Sequence, residues 1–399
     1  MFLTEDKCCG CTACYAVCTK NCIKMVRNNE GFLYPYIDND KCIGCHLCEK
    51  VCPILNKKNG SFPIRSVVIR AKNEETVLNS ASGGFTTPLA NYVIKNGGLV
   101  FGAILDDSNI VKHVKIDNIK NVHLIRGSKY VQSNLNNSYQ EIREYLINGK
   151  QVLFIGTPCQ VYGLKNFLLQ DYENLITVDL VCKGVASPKF WENYLKNKEK
   201  TENSKINHIN FRKKNRGYHS TDMEIQFENN SIYAENKTDY FMRSYINSIC
   251  MRKSCYQCNF KGLERCSDFT IFDAWHATKY TSIKKDDDKG YTNVLIHTQK
   301  GEKILNNISN QIFIYESNMK KAVEYDGIMI SNSTEFKEQR NEFYEILDRE
   351  GLNRTINLLL PVTANEILLD KLKKILYKLG LLNFIKKIKE TSYEKSTIN

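Results

Sequence analysis

Two closely spaced runs of cysteine near the N-terminus constrain this chain most. The eight residues are Cys8, Cys11, Cys14, Cys18 and Cys42, Cys45, Cys48, Cys52. Each run has the spacing C-x2-C-x2-C-x3-C, and Pro53 follows the second run. This spacing is typical of bacterial segments that hold two 4Fe-4S clusters, in which the fourth cysteine of each run ligates the other cluster. We therefore expect Cys52 to complete the cluster of the first run and Cys18 that of the second.

Zinc sites and disulfides are the alternatives for these cysteines. Zinc ribbons use two C-x2-C pairs that lie far apart, rather than three cysteines in tight register. The chain has 16 cysteines, and its first seven residues do not resemble a signal peptide. This favours a reducing cytoplasm over a disulfide scaffold. We expect a cytoplasmic protein that transfers single electrons, and an anaerobic host, because exposed clusters are usually sensitive to oxygen.

The composition excludes two classes of function. No apolar run approaches the length that spans a bilayer. The formal charge of +12 overstates the basic character, because each oxidised cluster on four thiolates adds about two negative charges. Basic residues do not form a stripe interleaved with aromatic residues, so nucleic acid is not an expected partner.

The pattern after residue 60 predicts an α/β core with a mixed sheet, because strands alternate with helices. Strands are predicted at residues 66–71, 99–105, 110–116, 151–155, 175–181, 206–211, 223–227, 231–234, 269–273 and 293–297, and helices at 85–96, 139–148 and 161–169. We divide the chain into a ferredoxin-like domain (1–60), two parts of the core (61–148 and 149–330) and a helical tail (331–399).

A basic amphipathic helix is predicted within this tail, at residues 367–389. Its apolar residues at helical spacing are Leu368, Leu372, Ile375, Leu376 and Leu379, and lysines occupy much of the remainder. Such a helix suits an anionic membrane surface. The same periodicity is also what a helix docked on its own domain or on a partner shows.

A third cysteine group predicts a third metal site. Cys250, Cys255, Cys258 and Cys266 follow the spacing C-x4-C-x2-C-x7-C. They could hold a third 4Fe-4S cluster or zinc, and the two preceding runs favour iron–sulfur. The fourth ligand stays open, because Cys159 and Cys182 both follow predicted buried strands, at the edge where α/β sheets place ligand sites. Either could replace Cys250 or Cys266. Cys9 and Cys22 are left as packing residues beside the clusters.

Three segments are candidates for binding a phosphate or a flavin. Residues 80–85 combine small hydroxyl residues and two glycines before a helix, which can bind an anion, although a glycine turn that caps a helix looks the same. Residues 126–133 are dense in polar donors, as a surface loop also can be. Residues 156–160 lie at a strand-to-helix junction, where Cys159 is a cluster ligand, a flavin contact or, less favoured, a nucleophile.

Together these blocks resemble the beta subunits of coenzyme F420-reducing hydrogenase and formate dehydrogenase. That family includes bacterial iron–sulfur flavoproteins and the plant 7-hydroxymethyl chlorophyll a reductase. The matching blocks are SASGGF (80–85), VFGA (100–103), RGSKYVQS (126–133), GTPCQ (156–160), DLVCKG (179–184), RKSCYQC (252–258) and SDFTIFDAW (267–275). They occur in the same order over residues 1 to about 320.

The resemblance implies a flavin-binding core with FAD beside an iron–sulfur cluster. The cofactor contacts it suggests are Ser80, Ser82, Gly83, Gly84, Phe85, Lys129, Tyr130, Gln132, Ser133, Thr157, Pro158, Cys159 and Gln160. Lys129 is the candidate catalytic residue, as a donor near N1 of the flavin. Lys183 replaces a frequent histidine of the family, and Phe272 and His276 replace frequent glycines. The substrate therefore cannot be carried over.

The function expected from this resemblance is a ferredoxin-linked, FAD-dependent oxidoreductase of a small organic substrate. The first alternative is a deazaflavin oxidoreductase or the beta subunit of a hydrogenase or formate dehydrogenase complex. The second is an electron-transfer adaptor without a catalytic role. In each case the partner is ferredoxin or another redox protein, and the oligomeric state is left open.

Overall fold

The computed structural model describes residues 3–381 of the chain. Its strands are β1 (Ile23–Arg27), β2 (Leu33–Ile37), β3 (Arg65–Ala71), β4 (Leu99–Leu105), β5 (Val111–Ile116), β6 (Val152–Gly156), β7 (Leu175–Leu180), β8 (Ile206–Lys213), β9 (Asp222–Phe227), β10 (Ile232–Glu235), β11 (Phe269–Asp273), β12 (Thr292–Ile296) and β13 (Ile312–Glu316). Its α-helices are α1 (Ala13–Val17), α2 (Leu47–Lys50), α3 (Glu74–Leu78), α4 (Thr86–Lys95), α5 (Ser138–Ile147), α6 (Pro158–Leu168), α7 (Pro188–Glu202), α8 (Tyr240–Ile246), α9 (Ala277–Tyr280), α10 (Gln299–Asn307), α11 (Met319–Asp326), α12 (Ile328–Ser331), α13 (Gln339–Leu359) and α14 (Ala364–Lys378). Within that span no helix is long and apolar enough to cross a bilayer.

An eight-stranded mixed sheet forms the centre of the molecule, in the order β13-β3-β12-β11-β7-β6-β4-β5. Strands β4, β6, β7 and β11 are parallel neighbours, and the outer strands pair antiparallel. Side chains alternate between the faces, so Leu153 and Ile155 of β6 pack with α4, while Val152 and Phe154 pack with α5 and α6. Helices on both faces bury most residues of the parallel strands, and all of β6. The predicted mixed α/β core is confirmed.

A second, aromatic core lies beside the central sheet. The three-stranded sheet β10-β9-β8 packs with α7, α8 and α13. Phe241 stacks on Phe190 with ring centroids 5.2 Å apart, and Phe343 of α13 meets Phe190 edge-on at 5.0 Å. The sequence pattern predicts the three strands but neither α7 nor α8. The tail predicted from residue 331 includes α13, whereas this helix is part of the core.

The N-terminal segment is a β1–β2 hairpin with α1 and α2, and it packs directly on the central sheet's helices. Ala13, Ala16 and Val17 of α1 share a hydrophobic cluster with α5 and α6. The approach is closest at Gly163 of α6, where a Cβ atom would lie 2.8 Å from the Cβ of Cys11. Glycine is therefore required at this helix position because any side chain would collide with Cys11, and not because the backbone turns here.

Replacement of Gly163 by valine should weaken the seating of the N-terminal segment, because the added side chain has no room beside Cys11. Overpacking of a close-packed contact costs about 1–3 kcal/mol. Urea unfolding of protein kept under nitrogen should show a loss of stability of that size. Lys165→Val, two residues along the same helix, is the control for the change in helix propensity. An equal loss in both variants would contradict the close contact.

Candidate functional site

The candidate site lies at the edge of the central sheet where the parallel strands end. Gly156, the last residue of β6, pairs with Asp179 of β7 in parallel register. The residues that follow the two strands therefore emerge side by side. They are residues 157–160, which open α6, and the loop that contains Cys182. Ligand sites of α/β sheets are built at this edge.

Five thiols from four segments, one of them Cys9 of the N-terminal segment, line one cavity at this edge, which we call the central cavity. Cys159 comes from α6, Cys182 from the loop after β7, and Cys255 and Cys258 from the segment after α8. The cavity encloses about 630 Å³, part of it open to solvent. Burial, together with the charges of Cys159 and Cys258, raises the pKa of Cys182 to about 12. Crowded, buried thiols of this kind become thiolates only beside positive charge, such as metal ions.

The other two members of the third cysteine group lie elsewhere. Cys250 is fully buried in the aromatic core, where Tyr344 donates a hydrogen bond of 2.7 Å to its carbonyl oxygen. Cys266 packs beside the cluster of α5 and α6. Neither side chain lines the central cavity. Spacing alone grouped them with Cys255 and Cys258, while the signal for Cys159 and Cys182 was their position after parallel strands.

The N-terminal segment holds two further thiol-lined cavities. The first dicluster cavity, about 350 Å³, is lined by Cys8, Cys11, Cys14 and Cys52. The second dicluster cavity, about 380 Å³, is lined by Cys18, Cys42, Cys45 and Cys48. The last cysteine of each run thus faces the cavity of the other run, as the spacing predicts. Cys22 also lines the second cavity, with its Sγ 3.3 Å from that of Cys18.

The first dicluster cavity and the central cavity are neighbours. Cys9 and Ile54 line both of them, so a single layer of side chains separates the two. On its other side, the first dicluster cavity lies close to the second. The pKa of Cys14 is raised mainly by burial and by Cys8 and Cys52, and Cys48 of the second cavity also contributes. The three thiol groups therefore form a continuous series. Its outer member is open to solvent, since Cys42 and Cys45 are exposed.

Arg252 is a buried cation between the first dicluster cavity and the central cavity. Its Nε donates to the carbonyl of Cys8 at 2.8 Å, its Nη1 donates to the carbonyl of Leu33 at 3.0 Å, and its guanidinium lies 3.8 Å from the ring centroid of Tyr34. Among residues 3–381, its Nη2 has no hydrogen-bond partner and the side chain has no carboxylate partner. Buried charges need compensation; besides the hydroxyl of Tyr34, the ionisable groups that help to raise the pKa of Arg252 are the thiols of Cys8, Cys9 and Cys255.

The loop at residues 80–85 uses most of its polar groups internally. Ser82 Oγ and the amide of Gly83 both bond Thr292 Oγ1, at 2.7 and 2.8 Å, and Lys214 Nζ donates to the carbonyl of Ser82 at 2.6 Å. A Cβ on Gly83 would lie 2.4 Å from the carbonyl oxygen of Ile69. Gly83 therefore allows the loop to pack on β3. The loop remains at the sheet edge, but these donors are not free for a phosphate.

Several other candidate cofactor contacts have structural roles in this fold. The ring of Phe85 is buried edge-on against Phe269. Ser80 Oγ donates to the carbonyl of Thr76, and Gly84, with φ of +84°, turns the chain into α4. The remaining contacts follow, each with its partner. Gln132 Oε1 accepts from the amide of Leu33, Ser133 Oγ bonds Nδ1 of the buried His113, and Gln160 Oε1 accepts from the amide of Thr157 in a capping box.

Three candidates do face cavities or connect them. Thr157 and Pro158 line the central cavity beside Cys159. Tyr130 stacks on Tyr245 with centroids 4.3 Å apart. Tyr245 in turn donates to the carbonyl of Gly184, at the wall of the central cavity, at 3.1 Å.

Lys129 lines a separate cavity of about 1320 Å³, which we call the polar cavity. Its walls carry basic, imidazole and acidic side chains, namely Arg126, Lys129, Lys213, His123, His208, Glu75, Asp106 and Asp107. The ammonium of Lys129 donates to the carbonyls of Arg126 and Leu124, at 2.7 and 3.0 Å, and burial lowers its pKa to about 7. Phe211, which also lines this cavity, meets Tyr130 edge-on at 5.7 Å.

Comparison with known families accounts for this arrangement. Residues 149–322 match the family described as the C terminus of the beta subunit of coenzyme F420 hydrogenase/dehydrogenase, and residues 2–57 match the "4Fe-4S dicluster domain". Residues 149–322 are therefore similar to the C-terminal part of this beta-subunit family. The chain is an iron–sulfur protein related to that family, with its dicluster domain at the N-terminus.

One solved structure similar to this protein is a chain of the F420-reducing [NiFe] hydrogenase complex from Methanosarcina barkeri. The two are 16% identical, and the match covers 68% of this chain and 89% of that one with a TM-score of 0.46. No curated protein matches the sequence.

Removal of the charge of Arg252 should lower the reduction potential of the cluster that we expect at Cys8, Cys11, Cys14 and Cys52. An added electron is stabilised by a nearby buried cation, and we expect Arg252→Gln to lower the equilibrium constant for reduction about tenfold, which is about 59 mV for one electron. A redox titration followed by electron paramagnetic resonance measures this, with iron content determined on the same samples.

Two variants control that titration. Arg252→Lys keeps the charge and should keep most of the potential. The double variant Arg340→Gln with Glu30→Gln removes an equally buried arginine together with its own carboxylate partner at 2.6 Å, and should leave the potential unchanged. An unchanged potential in Arg252→Gln with full iron content would show that Arg252 only holds the segments together.

The lowered pKa of Lys129 should make stability depend on pH. Between about pH 7 and pH 10 an unfolded Lys129 binds a proton that the folded one has lost, so stability should rise with pH in this window. The slope should stay below the one-proton limit of about 1.4 kcal/mol per pH unit, because the side chain is only half-buried. Urea midpoints should rise less steeply with pH in Lys129→Met. A slope equal to that of the unsubstituted protein would contradict the lowered pKa.

Proposed function

We propose that this protein is an iron–sulfur flavoenzyme that passes electrons between its 4Fe-4S clusters and FAD to reduce, or oxidise, a small organic substrate. The observation that carries the proposal is the series of thiol-lined cavities that begins at exposed Cys42 and Cys45 and ends at the sheet edge. A ferredoxin-type donor would deliver electrons at the exposed end. The cytoplasm is the compartment that this use of cysteine favours.

The central cavity fits a third 4Fe-4S cluster. Four of its five thiols are partly buried and surround a space instead of meeting at a point, and they come from segments whose backbones are fixed by β6, β7 and a short 3-10 turn. We assign the ligands as Cys159, Cys182, Cys255 and Cys258, in place of Cys250 and Cys266. Positive iron would stabilise the thiolate forms that burial disfavours.

The polar cavity suits FAD together with a substrate. It is large, it carries both hydrogen-bonding and cationic side chains, and residues 126–129 of the RGSKYVQS block form one wall. When bound, clusters exchange single electrons and a flavin exchanges either electrons or a hydride. Thr157 and Pro158 of the GTPCQ block line the central cavity and not the polar cavity, so they would lie beside the third cluster.

The protein's own residues between the two cavities form an aromatic bridge. Tyr245, Tyr130 and Phe211 connect the wall of the central cavity to that of the polar cavity by successive ring contacts. These rings exclude water from the short path between the cavities. Lys129, next in sequence to Tyr130, has a pKa near the working pH and can hold or release a proton at Nζ, as a general acid or base requires.

A second candidate function is favoured by the family itself. The beta subunits named by the family act with coenzyme F420 in hydrogenase and dehydrogenase complexes, so this protein could use a deazaflavin or serve as a subunit of such a complex. An adaptor that only transfers electrons to another protein is the remaining alternative. Bound flavin separates the enzyme from the adaptor, and reduction of F420 separates the two enzymes.

The first test is the cofactor content of protein purified without oxygen. Three 4Fe-4S clusters require about twelve irons per chain, and the flavoenzyme requires about one FAD. Cys182→Ala and Cys255→Ala should each lower the iron content to about eight, because each removes one ligand of the third cluster.

Cys250→Ala and Cys266→Ala are the matched controls, since Cys250 is buried and Cys266 partly buried but neither faces the central cavity. They should retain the full iron content. Full iron in Cys182→Ala, or a loss confined to Cys250→Ala, would refute the ligand assignment. Full iron without any flavin would refute the flavoenzyme and leave the adaptor.

A further inference from the structure

Helix α14 (Ala364–Lys378) lies on the protein with its polar side inward. The residues that contact the domain are Glu366, Asp370 and Lys374, which are spaced four apart and share one side of the helix. A helix that docks on its own domain normally buries its apolar side. Helix α14 is therefore oriented opposite to what its amphipathic sequence predicts, because its polar side and not its apolar side faces the domain.

Ion pairs hold this orientation. Arg243 of α8 donates to both carboxylate oxygens of Glu366, at 2.9 and 3.2 Å, and to the carbonyl of Pro361 at 2.7 Å. Arg216 donates to Asp370 at 2.9 Å. Lys374 bonds Glu235 of β10 at 2.5 Å and Asp370 at 3.1 Å. A capping box between Thr363 and Glu366 fixes the start of the helix in the same place.

The side opposite these ion pairs is an aliphatic row, which we call the outward face. It consists of Leu368, Leu372, Ile375 and Leu379. Leu368 and Leu379 are 65% and 64% exposed, and the neighbouring Ile367, Leu369 and Leu381 are exposed as well. Exposed apolar patches of this extent in a protein mark an interaction site.

The charges around the outward face indicate which kind of partner binds there. Both acids of the helix, Glu366 and Asp370, are paired with arginines of the domain and less exposed than Lys371 and Lys373, so the most exposed charges of α14 are lysines. Protein–protein interfaces are depleted in lysine and enriched in aromatic residues and arginine. Helices that lie in a membrane interface combine leucine and isoleucine on one face with lysines beside it.

The sequence continues the same pattern. Phe384, Ile385, Lys386, Lys387 and Lys389 follow the helix. This part of the helix predicted at residues 367–389 lies outside the described residues, and only its composition bears on the occupant. A basic segment next to an apolar face strengthens attraction to anionic lipids.

We propose that the outward face of α14 binds this protein to the surface of an anionic membrane. The three ion pairs turn the aliphatic row away from the body, and the lysines beside it contact lipid headgroups. The binding is peripheral, and it is independent of the cofactors of the protein.

The test is cosedimentation of the full-length holoprotein with lipid vesicles. Binding is expected to vesicles with about 30% phosphatidylglycerol and to be at least about tenfold weaker to pure phosphatidylcholine. It should weaken about tenfold in the triple variant Leu368→Ser, Leu372→Ser, Ile375→Ser, because apolar burial is lost. Lys371→Gln with Lys373→Gln should weaken binding to anionic vesicles and reduce its sensitivity to salt.

The matched control is the triple variant Ile147→Ser, Leu169→Ser, Ile328→Ser, which removes three equally exposed aliphatic side chains elsewhere. It should bind vesicles as the unsubstituted protein does. No binding to anionic vesicles would overturn the proposal, as would equal binding by both triple variants. Molar mass from light scattering is measured in parallel. A dimer that the α14 variant abolishes, without vesicle binding, would overturn the proposal in favour of a second copy as the occupant.

Discussion

The parallel pairing of β6 with β7 is the constraint on which the site depends. Gly156 and Asp179 are register partners, so the turn into α6 and the loop after β7 emerge at the same height. Cys159 and Cys182, which are more than twenty residues apart in sequence, thereby face one cavity. The segment with Cys255 and Cys258 completes the cavity, where the amide of Arg252 bonds the carbonyl of Val185 at 3.1 Å. No two of these three segments could form this site without the sheet.

The dicluster domain depends on the same edge. Its helix α1 packs on α6, which contains Cys159 in its first turn, and Gly163 allows the segment at Cys11 to approach α6 closely. Arg252 connects the carbonyls of Cys8 and Leu33 to the segment that contains Cys255. A buried arginine without a carboxylate is costly, so its presence here agrees with negative groups on both sides. Docking of the domain and charge compensation are thus performed by one side chain.

Much of the fold follows from the sequence, because buried parallel strands are continuous apolar runs and their bounds were predicted within two residues for β4, β6, β7 and β11. The aromatic core is harder to predict from the sequence, because α7 carries many lysines and has a regular apolar face only at Phe190, Trp191, Tyr194 and Leu195. The dicluster cavities could be predicted because all ligands of each are local or follow a fixed spacing. Cys250 and Cys266 were grouped with Cys255 by spacing, which contains no information about the tertiary turn that sends Cys250 into the core.

The glycine-rich block at residues 80–85 is a second case in which a local sequence pattern does not predict the tertiary contacts. Its composition suits a phosphate cradle, but Thr292 and Lys214, more than one hundred residues away, occupy its polar groups. Likewise, the periodicity of α14 indicates an amphipathic helix, but it does not indicate which side meets the protein. The orientation is determined by ion pairs with Arg243 of α8, Glu235 of β10 and Arg216 of the loop between β8 and β9. Local patterns predict the elements, while the partners of each polar side chain are set by the tertiary structure.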